Sequence, residues 1–191
     1  MTSSEGNLRD SIFSGMFSFF ASKLPSVQSH GGRVSLILSE RMFWIQKELE
    51  LPYEVPIGSA KATLTHKSDF VITLLGTMFK EVPVMNVELK FKSNVTDAFK
   101  ARSYDQMYLR QNYPHLKGCL LYVRPVGGGL TFAQVARICQ PFDEFIFLNE
   151  AEIGKKGWHA FYTSIEARMI EVAGDCSILA PQVLQAPGPS A

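Results

Sequence analysis

The apolar positions change period along the chain, and that change marks out the elements. Leu8, Ile12, Met16, Phe20 and Leu24 recur at helical spacing behind Asn7, a capping residue, with Asp10 near the first-turn amides. Phe13, Phe17 and Phe19 widen this stripe, so the pattern predicts an N-terminal helix, followed by a loop from Pro25 to Gly32. Val34, Ile37 or Leu38, Met42, Ile45 and Leu49 follow the 3.6 period and predict a second helix over Arg33 to Glu50, stopped by the Pro52 turn. Tyr53 to Ile57 suggests a short edge strand, and Ser59 to His66 a polar connection.

Two buried strands follow. In Ser68 to Leu75, Asp69, Val71 and Thr73 share one face and Phe70, Ile72 and Leu74 the other. In Val82 to Lys92, Asn86, Glu88 and Lys90 share a face opposite Met85, Val87, Leu89 and Phe91. Gly76 to Glu81 supplies the turn of a hairpin. Thr96 caps a helix running to Gln111, whose packed side is read as Ala98, Ala101, Tyr104, Tyr108 and Leu109. Lys117 to Val123 is the short continuous apolar run of a buried parallel strand. After the Gly127 to Gly129 turn come a helix at Phe132 to Cys139, a strand at Phe142 to Leu148 and a helix at Trp158 to Val172. The fold class is α/β: an αβββαβ core with a mixed central sheet flanked by helices, an N-terminal helix and a C-terminal αβα extension. The expected division is residues 1–32 as helix and loop, 33–175 as one domain, and 176–191 as a Pro- and Ala-rich disordered tail.

Composition changes this picture little. The 191 residues suffice for one domain, and 46% hydrophobic with 19% charged residues is ordinary for a globular protein. No segment has the length of a membrane span or the pattern of a signal peptide, so a cytoplasmic protein without membrane partners is expected. A membrane-surface role for residues 7–24 is disfavoured because the polar face lacks a Lys/Arg row. Three cysteines without CxxC pairing suggest neither a disulfide framework nor a zinc site. The net charge is only +1, but Lys61 to Arg124 is locally basic, which is compatible with phosphate binding. Within it, Lys61, Lys67, Lys92, Arg102 and Arg110 are the candidate nucleic-acid contacts.

A carboxylate and an ammonium inside an apolar strand are costly unless they are paired or do chemistry. Asp69 poses the same question, because Asp is depleted in strands. If the hairpin pairs its long strands, Asp69 and Glu88 converge as hard oxygen ligands of the kind Mg²⁺ takes, and Lys90 is available to orient a water or stabilise an anionic transition state. His66 and His115 are read as loop histidines without a role.

The spacing of Asp69 and Glu88-Leu89-Lys90 resembles the PD-(D/E)XK nuclease superfamily over about Arg33 to Arg124. The resemblance implies Asp69, Glu88 and the Leu89 carbonyl as Mg²⁺ ligands, Mn²⁺ as a substitute, and Lys90 as the residue assisting the water. Glu40 is similar to the helical Glu of archaeal Holliday-junction resolvases, with Glu48 a weaker substitute. Gln106 is similar to the helical Gln of RecB-like members, although Arg110 stands where their Tyr belongs, and Ser68 replaces the Pro before the Asp. Implied is a DNA nuclease, endonuclease rather than exonuclease. Two-strand cleavage by so small a chain suggests a homodimer. The alternative is a non-catalytic nucleic-acid-binding or assembly protein that retains the nuclease fold.

Overall fold

The computed structural model describes residues 5–76, 80–91, 96–149 and 156–179. Helix α1 (Glu5–Ala21) forms as its apolar spacing requires and buries Leu8, Ile12, Phe13, Met16, Phe19 and Phe20. The next segment departs from expectation. Arg33 to Glu50 is not a helix: β1 (Gln28–His30), β2 (Arg33–Leu38) and β3 (Arg41–Lys47) form an antiparallel meander, and β4 begins at Glu50. Val34, Leu36, Phe43 and Ile45 are buried, so the residues that reach the core follow a period of two. Ser39 and Glu40 have φ of 50° and 62°, as the two-residue turn between twisted strands demands. The intervening Ile37 is exposed.

Strand β4 (Glu50–Ile57) pairs with β5 (Ala60–Lys67) as a separate two-stranded ribbon. The expected connection at Ser59 to His66 is therefore mostly strand. It reads as a loop because the burial of β5 is nearly confined to His66. Strands β6 (Phe70–Leu75) and β7 (Glu81–Phe91) form the expected hairpin, and β7 runs parallel to β8 (Lys117–Arg124). Helix α2 (Thr96–Asn112) makes the crossover. Its buried side is Phe99, Ser103, Gln106 and Leu109, whereas Tyr104 is exposed, a rotation of the stripe from the one expected. The extension follows as α3 (Phe132–Ile138), β9 (Glu144–Asn149) and α4 (Lys156–Ala173), with β9 parallel to β8. A short helix α5 (Cys176–Leu179) occupies the start of the expected tail.

The main sheet is mixed and seven-stranded, in the order β1-β2-β3-β6-β7-β8-β9. Apolar residues of α1 and α4 join Phe70, Ile72, Met85, Val87 and Leu89 in one core on one face. On the other face, Phe99 of α2 and Val135 of α3 pack with Leu120 and Tyr122, while Leu51, Tyr53 and Val55 of the ribbon pack with Leu109 and Val71. Strand β7 is buried from Val84 to Phe91 on both faces, as expected for a central strand. The fold is thus a mixed α/β sheet flanked by helices.

Candidate active site

The candidate residues lie where β6 begins and β7 ends. Phe70 pairs with Val87, so Asp69, one residue before β6, falls beside the Glu88-Leu89 peptide. The Leu89 N–H donates to Asp69 Oδ2 at 2.8 Å. Arg9 of α1 donates from Nη1 to Asp69 Oδ1 at 2.9 Å, and its Nη2 lies 3.1 Å from Glu48 Oε1. Asp69 is buried, so its charge is balanced by a guanidinium and a backbone donor rather than by water.

Glu88 is 1% exposed and points to the α2 side of the sheet. His66 Nε2 lies 2.6 Å from Glu88 Oε1, and His66 Nδ1 lies 3.0 Å from Asp105 Oδ2. Tyr53 donates its hydroxyl to Asp105 Oδ1 at 2.9 Å. Glu88, His66, Asp105 and Tyr53 therefore form one chain across β7, β5, α2 and β4. Burial alone would lower the His66 pKa, but hydrogen bonds to Asp105 and Glu88 outweigh it and raise the pKa to about 9. The imidazole is consequently doubly protonated, with each N–H aimed at a carboxylate. Arg102 Nη1 lies 3.3 Å from His66 Nδ1, an approach of two donors that both serve Asp105. Burial raises the Asp105 pKa, but hydrogen bonds from His66 and Tyr53 overcome it and hold the carboxyl below its usual range. Tyr53 is pushed up to about 12, by burial first and by Asp105 second.

Glu88 Oε2 is the orphan of this chain. It lies 3.3 Å from Arg102 Nε, yet accepts no hydrogen bond among the described residues. Lys90, two residues on along the same face, is 9% exposed and makes no ion pair or hydrogen bond among the described residues. Gln106 is 1% exposed and has no partner for its carboxamide among the described residues. It lies against Gly118, where an added Cβ would come within 2.3 Å of its Cδ. Gly118 is the register partner of Asn86, whose carboxamide is likewise buried without a partner among the described residues.

The other sequence candidates are dispersed. Glu40 stands in the exposed β2-β3 turn, not on a helix, because the segment that suggested a helix is a hairpin. Lys61 pairs with Glu54 at 2.8 Å and Lys67 with Glu48 at 3.1 Å, both at the surface. Arg110 lies 3.4 Å from Asp143 and donates to the Pro141 carbonyl. Arg102 is committed to Glu88 and Asp105, and Lys92 lies outside the described residues. Sequence reasoning missed Arg9, Tyr53 and Asp105, and it took His66 for a loop residue, whereas His66 is 3% exposed inside β5. The available signal was His66 facing Leu51 across the ribbon, with alternate residues of β4 apolar.

Asp69 and Glu88 carry oxygen donors of the kind a hard divalent cation takes, but Arg9 and the Leu89 N–H engage both Asp69 oxygens and His66 engages Glu88 Oε1. That leaves Glu88 Oε2, 3.3 Å from Arg102 Nε, as the buried acceptor without a hydrogen bond among the described residues. No cluster of three His, Cys, Asp or Glu side chains suited to a metal occurs among the described residues, so an ion here would rest on the two carboxylates and on water. No protein-family model and no curated protein matches the chain.

Proposed function

We propose that the protein is a divalent-metal-dependent nuclease that hydrolyses DNA phosphodiester bonds, as an endonuclease and a homodimer. The observation that carries this reading is the seat of the Asp69 carboxylate on the Glu88-Leu89 peptide, 2.8 Å from the Leu89 nitrogen, with Lys90 buried and unpaired among the described residues. The element order is compatible with it: with β1, β2 and the β4-β5 ribbon set aside, α1, β3, β6, β7, α2 and β8 follow an αβββαβ order in which α1 takes the place expected of Arg33 to Glu50.

Asp69 and Glu88 would hold Mg²⁺, with Mn²⁺ as a substitute. Bound there, the ion supplies a lowered water pKa and neutralises charge on the phosphate. The chain's own residues do the rest. His66 fixes Glu88 through Oε1, and Oε2, 3.3 Å from Arg102 Nε but without a hydrogen bond among the described residues, is the oxygen that would ligate. Lys90 would orient the attacking water and balance the developing oxyanion charge. Arg102 offsets the Glu88 charge on its side of the site, which lessens the repulsion of an incoming phosphate.

A second reading has one observation in its favour: Arg9 and the His66 imidazolium already balance the two carboxylates without a metal. It predicts a protein that binds nucleic acid and does not cut it. Incubating the purified protein with plasmid, single-stranded and branched DNA, with Mg²⁺ or Mn²⁺, separates the two. The nuclease reading expects metal-dependent cleavage that Asp69→Ala abolishes and Lys90→Ala strongly lowers. Binding without cleavage in either metal would replace it with the second.

A further inference from the structure

Away from Asp69 and Glu88, where β8 and β9 begin, β7, β8, β9 and α4 enclose a cleft of about 350 Å³, the size of a small-molecule site. Met85 and Ala167 give it apolar surface. Ser164, Arg168 and Glu171 reach it from α4 at successive helical spacings, and Lys117 and Glu144 reach it from the first residues of β8 and β9.

The charges of this cleft are unevenly matched. Arg168 is fixed by three contacts: Nε donates to the Val84 carbonyl at 3.2 Å, Nη2 donates to the His115 carbonyl at 2.6 Å, and Nη1 lies 2.9 Å from Glu171 Oε2. Lys117 Nζ lies 2.9 Å from both oxygens of the same Glu171 carboxylate. Hydrogen bonds from Lys117 and Arg168 hold the Glu171 carboxyl below its usual range. Two cations thus meet one carboxylate, and Lys117, 44% exposed, is the one able to turn to another anion. Glu144 is the reverse case. It is half-buried and makes no ion pair among the described residues. Its partner is the Ser164 hydroxyl, which shares its one proton between the two oxygens at 2.5 and 2.6 Å. Most of the accepting capacity of the carboxylate is left over, and Ser164 Oγ remains an acceptor as well. Asp143, beside it, is already matched: Oδ2 accepts the Gly118 N–H at 2.9 Å and Oδ1 lies 3.4 Å from Arg110 Nη2.

One end of the cleft therefore has a cation to spare and the other a carboxylate without one. We propose that it binds a small zwitterion, a free amino acid with an apolar side chain. The ammonium donates to Glu144 and Ser164 Oγ, the carboxylate accepts from Lys117, and the side chain covers Met85 and Ala167. Lys117 stands two residues before Cys119, the register partner of Glu144, so the two Cα atoms are about 8 Å apart on one face of the sheet. An ammonium and a carboxylate on one carbon, with a hydrogen bond at each end, span such a gap. A single uncommitted carboxylate does not serve a metal ion, and a phosphate would face both Glu144 and Glu171. The inference does not depend on the nuclease reading.

Calorimetric titration of the full chain with L-leucine, and with isoamylamine and 4-methylpentanoate as its singly charged analogues, tests it. L-leucine is expected to bind one per chain, and each analogue about tenfold or more weakly. Glu144→Gln and Lys117→Met should each weaken L-leucine binding by about tenfold or more. In the ¹⁵N-labelled wild type, L-leucine should shift the amide signals of Gly118, Glu144 and Ser164, a readout that does not depend on how any variant folds. No binding of L-leucine to the wild type, shifts confined to other residues, binding that both variants leave unchanged, or an analogue that binds as tightly as L-leucine would overturn the proposal.

Discussion

At the scale of single residues, the site is a set of charges whose balance comes from far along the chain. Lys90 makes no ion pair or hydrogen bond among the described residues, which on the proposed nuclease reading leaves it available to the reaction. Lys90→Ala should therefore lower kcat by about a hundredfold or more while leaving Mn²⁺ affinity close to wild type. Steady-state kinetics with a metal titration checks this, and an equal loss of metal binding would contradict it. His66 carries a prediction about stability. Its folded pKa of about 9 exceeds the reference 6.5, so its contribution is complete below pH 6.5 and is lost as pH rises through about 9. Thermal melts without divalent ions should show Tm falling across that window, and His66→Gln should flatten the fall. Asp69, Glu88 and Lys90 were legible in the sequence because charge in an apolar strand is conspicuous. Arg9 and His66 were not, because Arg9 meets Asp69 across 60 positions and His66 meets Glu88 across 22, and neither contact has a local signature.

At the scale of elements, the misreading of Arg33 to Glu50 has a physical cause. Ile37 and Met42, counted toward a helical stripe, are not in the core, and the residues that are in it alternate. Short apolar runs satisfy both periods, and only the turn decides. That turn lacks the usual Asn-Gly signal, because Ser39 and Glu40 take positive φ at their own cost. Replacing Ser39-Glu40 with Asn-Gly should stabilise the protein by about 1 kcal/mol, read as a raised Tm. Glu40→Ala should leave metal binding and cleavage unchanged, since Glu40 is an exposed turn residue. Gly118 lets α2 lie close to β8, and Gly118→Ala drives a Cβ into Gln106. A cost of about 1–3 kcal/mol is expected, measured by denaturant unfolding. The β6-β7 hairpin and β8 were legible because their periods are unambiguous, and α2 in its bounds but not in its packed face, because its ends carry turn residues while its apolar stripe is broken by Ser103 and Gln106.

At the scale of the whole molecule, helices on both faces enclose the sheet, and the site forms where three substructures meet. Helix α1 brings Arg9, the β6-β7 hairpin brings Asp69, Glu88 and Lys90, and α2 with the β4-β5 ribbon brings Arg102, Asp105, His66 and Tyr53. The ribbon stands outside the main sheet, yet its His66 is part of the core of the site. No described helix is long and apolar enough to cross a membrane. On the proposed reading this junction cuts DNA with a metal held by Asp69. The most direct test of that reading is the conversion of supercoiled plasmid by purified protein in Mg²⁺, with Asp69→Ala prepared in parallel. A nuclease should give nicked and linear products from the wild type and none from Asp69→Ala or from wild type in chelator. Intact plasmid with the wild type in both Mg²⁺ and Mn²⁺, or equal conversion by Asp69→Ala, would contradict the reading.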